Sequence, residues 1–302
     1  MPQTFYGPYG ENNSTYANAG NANLGRFPLG HTLILPDGRE YKFTLNDGTA
    51  EVAGNLYQSV AAVANHTNRP VDTARAIGAT AVSATLTGTA AGADIYAEGI
   101  VHINDVTGEG YSYRIKRAFT ANEAHASAVA SGVLTVNLTA GESVQVALDT
   151  TSEATFTRNR YHQTTIHVSP PTAALTGVSP GVAAADRFYW SQVKGYAAVL
   201  ANLTLLAGLP VQADIATNGA VESVKRRLQV SATGSVLTAG FSQAGALLDQ
   251  DGTATGFAVA VSVSTTATVD ATGGIANNSP VVGMCVKANA STEFALIDLN
   301  IN

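Results

Sequence analysis

The chain carries little charge. Lys, Arg, Asp and Glu make up 13% of its 302 residues, about half of the roughly 25% usual in soluble globular domains. Basic residues number 16 against 22 acidic ones, a formal net charge of −6. A nucleic-acid partner calls for a basic stripe that can meet phosphates, so no nucleic-acid binding is expected. The dense basic cluster Lys225-Arg226-Arg227 reads as a solvated turn or strand end. A single cysteine, Cys285, rules out an internal disulfide. Its place in the apolar run 280–286 suits a small buried hydrophobe better than a reactive thiol. Apolar runs stay short of the ~18 residues a spanning helix needs, so no membrane partner is expected. The opening Met1-Pro2-Gln3-Thr4-Phe5 lacks a basic stretch followed by an apolar one, and no secretory signal is expected there.

Signatures of chemistry are equally sparse. His162 and His167 are an odd number of residues apart and face opposite sides of any one strand. His31, His66, His102 and His125 have no Cys, Asp or Glu at ligand spacing. Asp249-Gln250-Asp251-Gly252 begins like a calcium loop but lacks the later oxygen ligands and the closing Glu, which leaves a plain turn. The segment Gly240-Phe241-Ser242-Gln243-Ala244-Gly245 misses a nucleophile elbow by one residue and has no strand-to-helix setting. Neither a phosphate-binding glycine loop nor a dinucleotide fingerprint occurs. The expectation is a protein with no catalytic residue, no cofactor site and no metal site, hence not an enzyme.

What fills the places of charge is Thr, Ser, Asn, Gly and Ala, set in alternation with Val, Ile and Leu. In the run 257–263, Phe257, Val259, Val261 and Val263 point one way while Ala258, Ala260 and Ser262 point the other. That period of two marks a strand with one buried face. Leu33-Ile34-Leu35 and Tyr41-Lys42-Phe43-Thr44-Leu45 flank Asp37-Gly38, a favoured short turn, and predict a hairpin. Residues 50–64 predict loop and strand with a short helix. Further strands are expected at 81–87, 95–104, 111–117, 133–138, 143–148, 164–169, 188–193, 197–200, 211–213, 220–224, 281–286 and 294–301.

The fold expected is all-β: two β-sandwich or barrel-like domains with an extended N-terminal arm. Residues 1–29 form the arm. They are rich in Gly, Asn and Ser, yet carry Phe5, Tyr6, Tyr9, Tyr16 and Phe27, as a strap that docks on another subunit would. Residues 30–170 form the N-terminal β domain. Residues 171–184, where Pro171, Gly177, Pro180 and Gly181 follow Pro170, form a linker. Residues 185–302 form the C-terminal β domain, which opens on the aromatic cluster Phe188-Tyr189-Trp190, expected in that domain's core or in a trimer contact, with a sugar platform as the alternative.

Several segments of the chain resemble capsid decoration (cement) proteins of tailed bacteriophages. They are the run from Phe188-Tyr189-Trp190-Ser191-Gln192 to Val199-Leu200, Ala207-Gly208-Leu209-Pro210-Val211, Gly219-Ala220-Val221, Pro280-Val281-Val282-Gly283-Met284, and Thr292 through Phe294-Ala295-Leu296-Ile297-Asp298-Leu299-Asn300. The first half adds Gly30-His31-Thr32, Asp37-Gly38-Arg39-Glu40-Tyr41-Lys42-Phe43, Ala53-Gly54-Asn55-Leu56 and Gly108-Glu109-Gly110-Tyr111-Ser112-Tyr113-Arg114-Ile115-Lys116. The likeness touches both halves and leaves out the arm and residues 225–275. It implies a structural virion protein on the capsid exterior, assembled in the host cytoplasm as a homotrimer. Its partner would be the major capsid protein, whose shell it stabilises. Small uncharged side chains suit such broad contacts, and an arm can add a strand to a neighbouring sheet.

Two other classes share the texture. A phage fibre or receptor-binding protein would show long repeats or coiled-coil heptads, and neither occurs. A carbohydrate-binding β-sandwich would expose aromatic rings to sugars, with Tyr111, Tyr113 and Tyr161 as the available residues. Their placement beside Arg and His at period two also fits ordinary strand faces.

Overall fold

In the computed structural model the described residues are 4–17, 27–224, 279–290 and 293–301, with the backbone of two further short strands. The protein is nearly all β, with 40% strand and 3% helix. Contacts divide it into two units, Met1–Val224 with Ser279–Asn302, and Lys225–Asn278. In the second unit the described part is the antiparallel pair Leu247–Leu248 and Ala254–Thr255. The strand expected at 257–263, the cluster Lys225-Arg226-Arg227 and the segments 240–245 and 249–252 lie outside the described residues.

The first unit is built on one long strand, Arg187–Leu200. Its first half pairs antiparallel with Glu40–Leu45, and its second half with Phe294–Asn300. The expected hairpin is present: Thr32–Ile34 runs antiparallel to Glu40–Leu45, with Gly38 at a φ of 83° in the turn. Beyond Phe294–Asn300 the sheet continues through Val281–Lys287 and Pro210–Ala213 to Val221–Ser223. Two smaller sheets complete the unit. One pairs Ala81–Thr85 with Val133–Asn137, and the other orders Arg69–Pro70, Glu153–Thr157, Ile100–Asp105 and Ser112–Arg114. The ambiguous stretch 50–64 supplies the strand Leu56–Gln58, and the 3-10 turn Ala64–His66 begins at its end.

Two apolar cores sort along the chain much as two domains would. The first joins all three sheets, with Leu33, Phe43 and Trp190 from the large sheet, Val101 and Phe156 from the four-stranded one, and Val82 and Leu134 from the pair. The second holds Leu56, Leu175, Val193, Val199, Val282, Ile297 and Leu299. The strand Arg187–Leu200 serves both: Phe188 and Trp190 belong to the first core, Val193, Ala197 and Val199 to the second. Each such large buried side chain contributes about 1.5–3 kcal/mol from area removed from water.

That shared strand corrects three expectations. The segment 171–184 is no linker, because Leu175–Val178 is a fully buried strand paired with Leu56–Gln58 and with Gln192. A division into 30–170 and 185–302 therefore cuts through a hydrogen-bonded sheet. The cluster Phe188-Tyr189-Trp190 is core, as one of its expected roles has it, but in the core of the earlier half: Trp190 lies 4.9 Å from Phe43 and 5.2 Å from Phe27 between ring centroids. The described part of the arm, residues 4–17 and 27–29, is ordered on its own chain, where a role only in contact with another subunit was expected. Thr4–Tyr6 adds in parallel to Thr32–Ile34, Tyr16–Ala17 pairs with Arg187 and Phe188, and Phe5, Tyr16 and Phe27 pack against the first core. Three of the five arm aromatics thus strap the chain's own sheet, while Tyr6 and Tyr9 stay exposed.

Candidate interaction surface

In an antiparallel sheet, directly paired residues project to the same side. Tyr196 pairs with Asp298 and Asp298 with Met284; Ala198 pairs with Leu296, and Leu200 with Phe294. The alternate residues Ala197, Val199, Ala295, Ile297, Leu299 and Cys285 fill the second core. The outer side thus carries Tyr196, Ala198, Leu200, Phe294, Leu296 and Met284 beside the polar Lys194, Asp298, Asn300 and Lys287. The outer side is uncovered, with Tyr196 56% and Met284 and Phe294 each 52% exposed. Soluble proteins rarely leave contiguous apolar surface of this kind without a partner for it.

Two open depressions lie on this side. One, of about 1080 Å³, is bordered by Arg39, Tyr196, Pro210, Val281 and Met284. The other, of about 600 Å³, is bordered by Tyr9, Gly54, Pro180, Tyr196 and Phe294. Tyr196 and Arg39 border both, which makes one continuous relief. Gly54 shapes it: a Cβ there would sit 2.5 Å from the Phe294 ring, and its φ of 75° suits glycine. The rim charges are mostly neutralised. Arg39 meets Asp37 at 2.8 Å, and Lys194 meets Glu40 at 2.8 Å. That hydrogen bond to Glu40 raises the Lys194 ammonium above its ordinary value. A surface that is broad, apolar and nearly charge-balanced suits protein contact better than capture of a small ion.

Another set of titratable groups is buried inside. His66 bonds Tyr96 Oη and the Thr89 carbonyl, and the Tyr96 N–H donates to His125 Nε2 at 3.0 Å. Burial lowers His125, and burial with Arg158 and His125 nearby lowers His162 to about 3. His167 accepts the Gly219 N–H at Nδ1 and faces the Asp214 carbonyl at Nε2, 3.0 Å away, so that it stitches two loops. His31 stacks on Phe27. Glu98 is tied to Arg117 at 3.2 Å and Arg114 at 3.4 Å. Glu51 lies between the hydroxyls of Tyr57 and Tyr189, and burial pushes its carboxyl up to about 8. Cys285 is buried, and burial raises its thiol. Among the described residues no three of His, Cys, Asp and Glu gather as metal ligands, and no helix is long and apolar enough to cross a membrane. Of the three tyrosines considered for sugar stacking, Tyr113 is core and accepts the Gln145 N–H, Tyr161 packs on the first core, and Tyr111 is exposed.

No family model matches the chain, and no curated protein or solved structure matches it. The outer face was not singled out by sequence reasoning, although its signal is present. In 294–297 both parities are apolar, Phe294 and Leu296 on one side and Ala295 and Ile297 on the other, before Asp298 and Asn300 bring polar groups to the outer side.

Proposed function

We propose that this chain is a structural virion protein that binds the outer surface of a tailed-phage capsid and stabilises it. The observation that carries the reading is the uncovered apolar face of Tyr196, Met284 and Phe294 on a sheet whose opposite side is already packed. The resemblance of the segments 188–200, 280–284 and 292–300 to decoration proteins supports it, and these segments build that face. In this reading the partner is the major capsid protein, the protein acts as a homotrimer, and the role needs no covalent chemistry. Binding only to the assembled shell would shift its equilibrium toward assembly by mass action.

The test strips the protein from capsids, adds it back and measures the temperature of capsid rupture. Wild type should restore that temperature, and a Tyr196→Lys, Phe294→Lys double variant should fail to do so while melting normally. An unchanged rupture temperature on re-addition, or localisation at the tail tip, defeats the reading in favour of a receptor-binding role. Sedimentation of the free protein reads the trimer directly.

A further inference from the structure

A second feature lies away from the apolar face, at the end of the strand Glu153–Thr157. Arg158 and Arg160 follow that strand and border a cleft of about 200 Å³ whose other walls include Val60, Ala62, Val63 and Phe156. Neither guanidinium takes part in an ion pair among the described residues; the pairs there are Arg39–Asp37, Arg114–Glu98, Lys116–Glu123, Arg117–Glu98 and Lys194–Glu40. Their acceptors are neutral. Arg158 donates to Gln163 Oε1 at 2.6 Å and bonds the Tyr96 hydroxyl, while its Nε is buried without an acceptor. Arg160 donates from Nε to the Leu175 carbonyl at 3.0 Å, and a second N–H goes to the same oxygen.

Half-buried guanidinium groups without a counter-charge are costly, and an anion in the cleft would offset that cost. Two neighbouring groups register the positive field of these arginines. Burial and the charge of Arg158 both hold His162 low, and burial with the charge of Arg160 holds Lys42 low. Glu98 and Glu142, which border the neighbouring groove with these arginines, are already engaged: Glu98 with Arg114 and Arg117, Glu142 with the Arg114 backbone N–H.

We propose that this cleft binds a carboxylate carried on a short apolar stem. The planar fork of an arginine matches a carboxylate in two parallel hydrogen bonds. The walls of Val60, Ala62, Val63 and Phe156 suit an aliphatic stem, which a carboxylic acid carries and inorganic phosphate lacks, while Ser59, Thr157 and Asn159 also border the cleft. The carboxylate is that of a free small acid or of an acidic side chain on a bound protein, since both present the same group.

Calorimetry on the full chain tests this with two probes, butyrate and a short end-blocked peptide holding one glutamate, and inorganic phosphate at matched ionic strength as the comparison. At least one carboxylate probe should bind saturably, and phosphate should bind at least ten-fold more weakly. Butyrate alone assigns the free acid; the peptide assigns the protein source. Arg158→Lys keeps the charge and loses the fork, and should weaken binding about ten-fold, the worth of one charge-assisted hydrogen bond. Ala62→Trp fills the cleft at an exposed position, leaves both arginines in place and should abolish binding. Failure of both carboxylate probes, equal binding of phosphate, or unaltered binding in Ala62→Trp overturns the proposal.

Discussion

Replacing Glu51 with Gln should stabilise the protein at neutral and alkaline pH and do almost nothing in acid. Glu51 is 2% exposed, its Oε2 has no hydrogen-bond partner, and Tyr57 and Tyr189 are its neighbours. Burial is the main reason its carboxyl is pushed from 4.5 up to about 8, with the charge of Asp47 adding to it and the two tyrosine hydroxyls opposing it. The folded chain therefore keeps, between those two values, a proton that the unfolded chain releases. The associated stability is complete below the unfolded value and is lost as pH rises toward the folded one. Each pH unit in that interval costs about 1.4 kcal/mol, so wild type gives up about 3 kcal/mol by pH 7 and about 5 kcal/mol by pH 9. Gln has no proton to lose and the same shape. Urea unfolding of both proteins at pH 5, 7 and 9 reads the difference, in which the histidines and other shared groups cancel. The gap should be below about 1 kcal/mol at pH 5 and should widen to several kcal/mol at pH 9. A gap that stays constant from pH 5 to pH 9 refutes the reasoning, because a loss of packing alone would not follow pH.

His162 should act with the opposite sign. Its folded value lies near 3 against 6.5 for the free side chain, so stability falls as pH drops below 6.5, by about 2 kcal/mol at pH 5; His162→Gln should flatten that acid limb in the same urea assay. Trp190→Ala should cost about 3–5 kcal/mol by calorimetry, whereas Tyr196→Lys on the outer face should stay within about 0.5 kcal/mol. If Tyr196→Lys proves as costly, the outer face is part of the core. Deleting residues 1–17 removes two strands and the rings of Phe5 and Tyr16 from the first core, so the melting temperature should fall; an unchanged melt would mean the arm is tied elsewhere.

Local signals in the sequence were legible where one face of a strand is polar. The hairpin 32–45 is plain because Asp37-Gly38 supplies the turn and Leu33, Tyr41, Phe43 and Leu45 supply the buried positions. Val133–Asn137 alternates exposed and buried along its whole length, and its period shows it. Signals failed where both faces are buried. Glu153–Thr157 has three consecutive buried residues and no alternation, and Leu175–Val178 has four with a glycine among them. Gly177 is there because a Cβ would sit 2.6 Å from the Gln192 carbonyl, so a residue read as linker punctuation is a close strand crossing. Long-range pairing was illegible for a different reason. Nothing local to 187–200 says that its halves pair with 40–45 and 294–300, which lie far off in the chain. The candidate face inherits that difficulty, since it exists only once Tyr196, Met284 and Phe294 are brought side by side.

The low charge and the two-sided sheet have one physical origin. A sheet packed on one side ordinarily carries charge on the other, which keeps it soluble and prevents edge and face association. Here the outer positions of three adjacent strands hold Tyr196, Ala198, Leu200, Phe294, Leu296 and Met284, with Asp298 and Lys287 as the charges paired into those rows. Placing six Lys or Glu side chains at these positions would cost the fold little, because none of them is in a core. Their absence is therefore unexplained by folding, and the proposed contact accounts for it: a protein surface that buries this face would have to desolvate every charge placed on it, at several kcal/mol for each one left unpaired. Apolar outer positions that stability does not require are the residues the proposed association would use, and from Tyr196 through Ala198 and Leu200 to Phe294 no charge interrupts them.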